Sequence, residues 1–141
     1  EDRLVEKRYL GVLAGVPSTS ESTIELSLSK ISSAEKGWRM IAAKKGKPSI
    51  THWRVLAEID GHALLEFRPE TGRTHQIRVH CQAGLGMSLL GDPVYGNGKG
   101  APRTMLHAAA IGVPRDGKPP IATTAPLPRD FTALGFVDGQ D

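Results

Sequence analysis

The pattern of apolar and polar positions predicts two β-strands near the start of the chain. Residues 8–13 are rich in strand-forming side chains and are followed by Gly15 and Pro17, which are typical of a strand end. Across residues 24–28, apolar side chains alternate with Glu25 and Ser27. In this second segment the period of two predicts a strand with one buried face and one polar face.

The best local signal in the chain is a pair of alternating segments separated by two turn residues. Residues 53–59 and 63–67 both show the alternation, and Asp60-Gly61 lies between them. Asp-Gly favours the tight turn that joins antiparallel strands, and Pro69 cannot continue the hydrogen-bonding ladder. We therefore predict a β-hairpin that ends near Pro69.

The pattern changes to helical over residues 74–83. This segment contains no glycine or proline, begins with Thr74 as a candidate cap, and precedes Gly84 and Gly86. Ile77 occupies the position where a capping box has Glu or Gln, so the capping box is not complete. A short helix is the expectation.

The remainder of the chain predicts loops and short elements. Residues 105–113 fit a strand or a helix equally by periodicity, residues 121–124 fit a strand bounded by Asp116-Gly117 and Pro119-Pro120, and a helical turn can follow Pro128. With no repeat or linker, residues 1–141 are expected to form one α+β domain. Its sheet is predicted to be mixed and mainly antiparallel, with a few short helices.

Composition agrees with a folded domain. The 141 residues are 39% hydrophobic and 23% charged, which excludes a disordered chain. The single cysteine, Cys81, excludes an internal disulfide, and we expect it to be a buried apolar residue in a protein of the reducing cytoplasm. No apolar run reaches the roughly 20 residues of a membrane span, and the first residues do not resemble a signal peptide.

Positive charge is concentrated in two stretches without acids. The net charge is only +3, but residues 36–56 contain six cations and no acid, and residues 72–91 contain Arg73 and Arg78, again with no acid. Such stretches suggest contact with a polyanion. The alternative for Lys44, Lys45 and Lys47 is a solvated loop.

The densest group of polar side chains follows the predicted hairpin. Gly72 allows a tight turn, Thr74 opens the helix, and Arg78 lies one turn further on. A helix N-terminus favours an anion, and the planar guanidinium of Arg78 suits a carboxylate or a phosphate. The alternative is a capped helix with surface arginines. His75 and His80 are not spaced as a helical metal pair, and Cys81 next to His80 does not form a nucleophile dyad by adjacency, so no metal is expected.

Several motifs occur in a familiar order. Residues 68–80, with the sequence RPETGRTHQIRVH, are followed by residues 90–96, LGDPVYG, and by residues 106–108, LHA. Residues 5–10, VEKRYL, with Gly15, precede them, and residues 125–128, APLP, close the series. Together these strongly resemble the C-terminal motifs of the RluA-type RNA pseudouridine synthases.

The resemblance implies roles for particular residues. Arg78 matches the arginine that pairs with the catalytic aspartate, and Tyr9 matches the tyrosine that stacks on the target base and is implicated in proton removal, so both are expected to be catalytic. Members flip a uridine out of RNA, detach uracil at N1 and rejoin it through C5, without metal or cofactor, and a flipped base needs an aromatic surface. The expected RNA-contacting residues are Arg73, Thr74, His75, Gln76, Lys44, Lys45 and Lys47.

The catalytic aspartate that the resemblance implies is not found in this sequence. It belongs to a His-Arg-Leu-Asp motif, and none of the aspartates here has those neighbours. We therefore expect an incomplete catalytic domain, inactive alone, whose substrate is ribosomal or transfer RNA, and a monomeric protein when complete. A non-catalytic RNA-binding module is the alternative, and a nucleotide-binding domain ranks last because no phosphate-loop motif occurs.

Overall fold

One antiparallel sheet organises the computed structural model, which describes residues 6–115 and 117–137. Its seven strands lie in the order β3-β2-β4-β5-β1-β6-β7. In chain order the strands are β1 Glu6–Leu13, β2 Glu21–Ser33, β3 Gly37–Ala42, β4 Lys47–Ile59, β5 His62–Pro69, β6 Leu106–Arg115 and β7 Lys118–Thr124. The helices are α1 Gln76–His80, continued by a π-helical turn Cys81–Leu85, and α2 Arg129–Thr132. The predicted α+β class is confirmed.

All pairings between the described strands are antiparallel, so the expected mixed sheet has no parallel component in this part of the chain. The predicted hairpin is β4–β5, with Ile59 opposite His62. Asp60 has φ 52° and Gly61 has φ 80°, the left-handed pair that a two-residue hairpin turn requires. Pro69 is the last residue of β5, as the sequence predicted.

Several elements differ from the sequence prediction. The strand β3 was not predicted, and β2 and β4 each have 13 residues, well beyond their alternating segments. Residues 105–113, which fitted a strand or a helix, lie mostly in β6. The turn after Pro128 is α2. The predicted motif residue Val5 and the turn residue Asp116 lie outside the described residues.

The helical segment after β5 begins two residues later than predicted and extends to Leu85 through the π-helical turn. Thr74 does not cap it, because His75 at the cap position has φ 54° and no side-chain cap bond forms. Gly72 is not among the residues with positive φ, and a Cβ there would meet only the Lys7 Nζ atom at 3.6 Å. The left-handed residue that turns the chain is therefore His75 and not Gly72.

The side chain of Gln76 replaces the expected cap. Its Oε1 accepts from the Thr71 hydroxyl at 2.7 Å and from the Arg73 backbone N–H at 3.0 Å. Its amide donates to the Ile50 carbonyl at 3.0 Å and to the Thr51 hydroxyl at 2.9 Å. Because the Gln76 N–H bonds to the Arg73 carbonyl, this short helix start offers little to an anion, contrary to the sequence argument.

The sheet separates two apolar layers. On one face, Phe67 and Leu65 pack with Ile77 and Cys81 under α1 and its π-helical turn. On the other face, Leu10, Val12 and Leu64 pack with residues of the C-terminal segment, including Phe131 and Phe136. Cys81 is fully buried, as expected, and burial raises the pKa of its thiol. None of the described helices is long and apolar enough to cross a membrane.

Candidate active site

Tyr9 and Arg78, far apart in sequence, line the same cleft. It has a volume of about 260 Å³ and lies between β1, the end of β5 and α1. Its lining residues are Lys7, Tyr9, Pro69, Thr71, Gly72, Arg73, His75, Gln76, Ile77, Arg78 and Leu106. The lining contains cations and no carboxylate, so the cleft attracts an anionic ligand.

Arg78 is fixed by a buried aspartate. Its Nε and Nη2 atoms donate to Asp92 Oδ2 and Oδ1, each at 2.9 Å, and the Asp92 side chain is fully buried. Asp92 Oδ1 also accepts the backbone N–H groups of Val94 at 2.9 Å and Tyr95 at 3.1 Å. Burial raises the pKa of Asp92, but the bonds from Arg78 and these amides outweigh burial and lower it. This fork-to-fork pair fixes the plane of the guanidinium.

The resemblance led us to expect an upstream aspartate as the partner of Arg78, and the structure shows that a second partner exists within the chain. The signal for it was present in the sequence, because Asp92 lies in the LGDPVYG motif, but no spacing rule linked that motif to Arg78. Pairing with Asp92 raises the pKa of Arg78 further above its ordinary value.

His75 connects Arg78 to Tyr95. The guanidinium Nη1 donates to His75 Nε2 at 3.2 Å, so the ring proton must lie on Nδ1, which donates to the Tyr95 hydroxyl at 2.9 Å. Burial and the positive charge of Arg78 lower the pKa of His75, and Asp92 offsets them only in part. A neutral imidazole therefore contacts Arg78 at Nη1, the guanidinium nitrogen that is not bonded to Asp92.

A second cleft, of about 590 Å³, adjoins the first and shares Gly72 and Arg73 with it. We call it the basic groove; its lining includes Lys30, Lys45, Lys47, Arg73 and Thr74, and no acid. Lys44 is exposed in the turn between β3 and β4 but does not line the groove. Of the residues predicted to contact RNA, the structure brings Lys45, Lys47, Arg73 and Thr74 together in the groove, whereas Lys44 lies outside it.

The two histidines considered for metal binding make different contacts. His80 is fully buried, and its Nε2 lies 2.6 Å from the Ser49 hydroxyl, whereas His75 contacts Arg78 and Tyr95. Burial lowers the pKa of His80 to about 4. Among the described residues, no group of three or more His, Cys, Asp or Glu side chains could hold a metal.

A cluster of arginines around Glu66 was not predicted from the sequence. It lies on the face of the sheet opposite to Tyr9 and the cleft. Glu66 is 3% exposed and bonds Arg8, Arg54 and Arg68. Burial raises the pKa of Glu66, but hydrogen bonds from these three arginines outweigh it and lower the pKa to about 2. Arg8 directly precedes Tyr9, so the cluster anchors β1 beside the cleft.

Acid titration is expected to expose this anchor. Because the folded pKa of Glu66 is about 2, below the ordinary 4.5, its contribution is complete above pH 4.5 and is lost as pH falls towards 2. We expect the free energy of unfolding to fall by up to about 3 kcal/mol over that range. Glu66→Gln should remove most of the slope of this free energy against pH, as measured by urea unfolding at several pH values. Glu25→Gln, on an exposed residue of β2, should leave the slope unchanged. An unchanged slope in Glu66→Gln would contradict the assignment.

Known proteins are similar to this chain over most of its length. The family described as RNA pseudouridylate synthase matches residues 1–83, which include Tyr9 and Arg78. The chain is 52% identical over 134 residues to an uncharacterized RNA pseudouridine synthase of Zymomonas mobilis. It is 35% identical over 145 residues to the ribosomal large subunit pseudouridine synthase D of the same organism. The chain belongs to the RNA pseudouridylate synthase family, of the RluA type.

Solved structures support the family assignment. The human RNA pseudouridylate synthase domain containing 1 superposes with a TM-score of 0.76 at 34% identity, over 88% of this chain and 55% of that chain. A second human structure, RNA pseudouridylate synthase domain containing 4, at 23% identity and a TM-score of 0.70, shows the fold alone. The two Zymomonas matches each cover 94% of this chain, but only 61% and 45% of the respective relatives. The chain therefore spans about three fifths or less of these pseudouridine synthases.

Proposed function

We propose that this chain provides the tyrosine and arginine side of the active site of an enzyme that converts uridine to pseudouridine in ribosomal or transfer RNA. The observation that supports the proposal is the shared cleft of Tyr9 and Arg78, bounded by cations. Tyr9 is half-buried, so part of its ring can face a flipped base. Arg78 is pre-oriented by Asp92 and His75, so little reorganisation precedes binding.

The nucleophilic aspartate is not among the described residues of this cleft. Asp92 uses both carboxylate oxygens on Arg78 and backbone amides, Asp60 lies in the β4–β5 turn, and Asp130 pairs with Arg103. Asp2, Asp116, Asp138 and Asp141 lie outside the described residues. We propose that a carboxylate from elsewhere completes the site, approaching the guanidinium on the edge that Asp92 does not occupy.

Turnover by this chain alone is therefore expected to be absent. The chain, incubated with uridine-containing RNA, should give no pseudouridine above background in chemical mapping, since no described carboxylate reaches the Tyr9 cleft. The matched control is a protein that joins this chain to an upstream segment with the His-Arg-Leu-Asp motif. Turnover by the chain alone would contradict the proposed division of the site.

The basic groove is proposed to bind the RNA backbone. Lys45→Ala and Lys47→Ala should each weaken binding of single-stranded RNA and flatten the log-log salt dependence by about one unit, because each loses a phosphate contact. Lys44→Ala is the matched control, since Lys44 neighbours Lys45 but lies outside the groove lining. Filter binding at several salt concentrations measures both quantities. Equal slopes in all the variants would mean that these lysines form only a solvated loop.

A non-catalytic RNA-binding module is the second candidate. It is favoured by the linings of the cleft and of the basic groove, which contain cations suited to RNA and no carboxylate for chemistry among the described residues. The joined protein decides between the two, because a module would bind RNA and still give no pseudouridine.

A further inference from the structure

Trp38 is an exposed aromatic side chain beside the candidate site. It lies in β3 and is 42% exposed, whereas the other tryptophan, Trp53, is 5% exposed within the core. Leaving the apolar indole ring in contact with water forgoes the stabilisation that its burial in the core would give. The contacts of Trp38 indicate a function for this exposed ring.

The Trp38 ring continues the cleft wall outward. It stacks on His75 with ring centroids 4.8 Å apart and planes at 25°. His75 in turn lines the Tyr9 cleft and bonds Arg78. Two aromatic rings thus extend from the candidate active site towards solvent.

Positive charge surrounds this aromatic pair. The Lys30 Nζ atom lies 4.6 Å from the centre of the Trp38 ring, and Lys30 also lines the basic groove with Lys45, Lys47 and Arg73. The side chain of Lys30 is exposed and flexible, so it can leave the ring and contact a phosphate. A groove of cations that ends at an aromatic face is the arrangement that binds single-stranded nucleic acid.

We propose that Trp38 is a stacking platform for one unpaired base that neighbours the target uridine, while the basic groove holds the adjoining phosphates. The inference rests on the proposed function, because it assumes that RNA enters the Tyr9 cleft. The groove lining contains no acid, which favours a polyanion over a protein partner. Because every base has a π face, the platform contributes affinity with little sequence preference.

Tryptophan fluorescence gives a direct test, since the chain has only two tryptophans. A short oligouridine should quench the fluorescence of the wild-type chain, and inorganic polyphosphate, which has charges but no bases, should not. In Trp38→Phe, oligouridine should leave the remaining Trp53 signal unchanged and bind within about threefold of wild type, since phenylalanine still stacks.

Affinity separates stacking from charge. Trp38→Ala should weaken oligouridine binding about tenfold with an unchanged salt slope, because a base contact is lost and no phosphate contact is lost. Ile111→Ala removes another exposed apolar side chain, 44% exposed on β6, and should bind like wild type.

Each result bears on the proposal. Salt-dependent RNA binding without quenching, or wild-type affinity in Trp38→Ala, would overturn the platform and leave the proposed function standing. Absence of RNA binding in the wild-type chain would overturn both. If Trp38→Ala fails to fold, the wild-type and Trp38→Phe quenching still decides.

Discussion

Arg78→Ala is expected to lower the free energy of unfolding by about 3–5 kcal/mol, because it leaves the Asp92 carboxylate buried without its partner. Asp92 is 1% exposed, so water cannot replace the two lost bonds, and only the Val94 and Tyr95 amides remain. Without Arg78, burial is expected to raise the pKa of Asp92 above its ordinary value, so the free energy of unfolding of the variant should decrease as pH rises and the carboxylate ionises. Urea unfolding at several pH values measures both effects.

Two variants isolate the cause. Arg73→Ala removes a neighbouring arginine of the same cleft, whose guanidinium donates to the Pro48 carbonyl and pairs with no carboxylate among the described residues, and should cost far less. The double variant Arg78→Met with Asp92→Asn removes both charges and should recover part of the loss, since no uncompensated charge remains. A loss below about 1 kcal/mol in Arg78→Ala would show that the pair is solvated in solution.

Local signals predicted the parts of the fold that short segments determine. The β4–β5 hairpin followed from Asp60-Gly61 and the flanking alternation, because the turn and its strands are neighbours in sequence. Strand β3 was not predicted, because Ile41 breaks the alternation after only three residues, Trp38 to Met40, and the pairing of β3 with β2 supplies the missing stabilisation. The propensity of an isolated segment could not show that pairing.

The start of α1 shows why local rules failed at the site. Thr74 is a favourable cap by residue type, but the Gln76 side chain satisfies the turn through bonds to β4 and to Thr71. That solution depends on residues distant in sequence, so no capping rule predicts it. His75 accepts a left-handed backbone there, and its ring is thereby placed against Arg78.

Some site residues were predicted from the sequence and others were not. The resemblance indicated Tyr9 and Arg78, and the structure places both in one cleft. Lys7 and Asp92 were not selected, although Lys7 shares the strand face of Tyr9 and Asp92 belongs to a recognised motif. Such roles depend on contacts between segments that are distant in the sequence, and these contacts cannot be read from one sequence alone.

Arg78→Lys is expected to reduce single-turnover pseudouridine formation by about 100-fold or more in a protein that also contains the upstream aspartate segment. The guanidinium uses Nε and Nη2 on Asp92 and Nη1 on His75, which leaves further N–H groups on Nη1 and Nη2 for a second carboxylate. A lysine ammonium keeps the charge but cannot hold two carboxylates and an imidazole in one plane. RNA affinity should change little, because the basic groove is untouched.

The control for this variant is Arg73→Lys, which alters an arginine of the same cleft that contacts neither carboxylate nor imidazole in the described structure. It should retain most of the rate and a wild-type melting temperature. All rates are compared below the melting temperature of Arg78→Lys, so that loss of folding is not counted as loss of chemistry. If Arg78→Lys reacts at the wild-type rate, Arg78 does not orient a catalytic carboxylate, and its fork serves only Asp92 and the stability of the cleft wall.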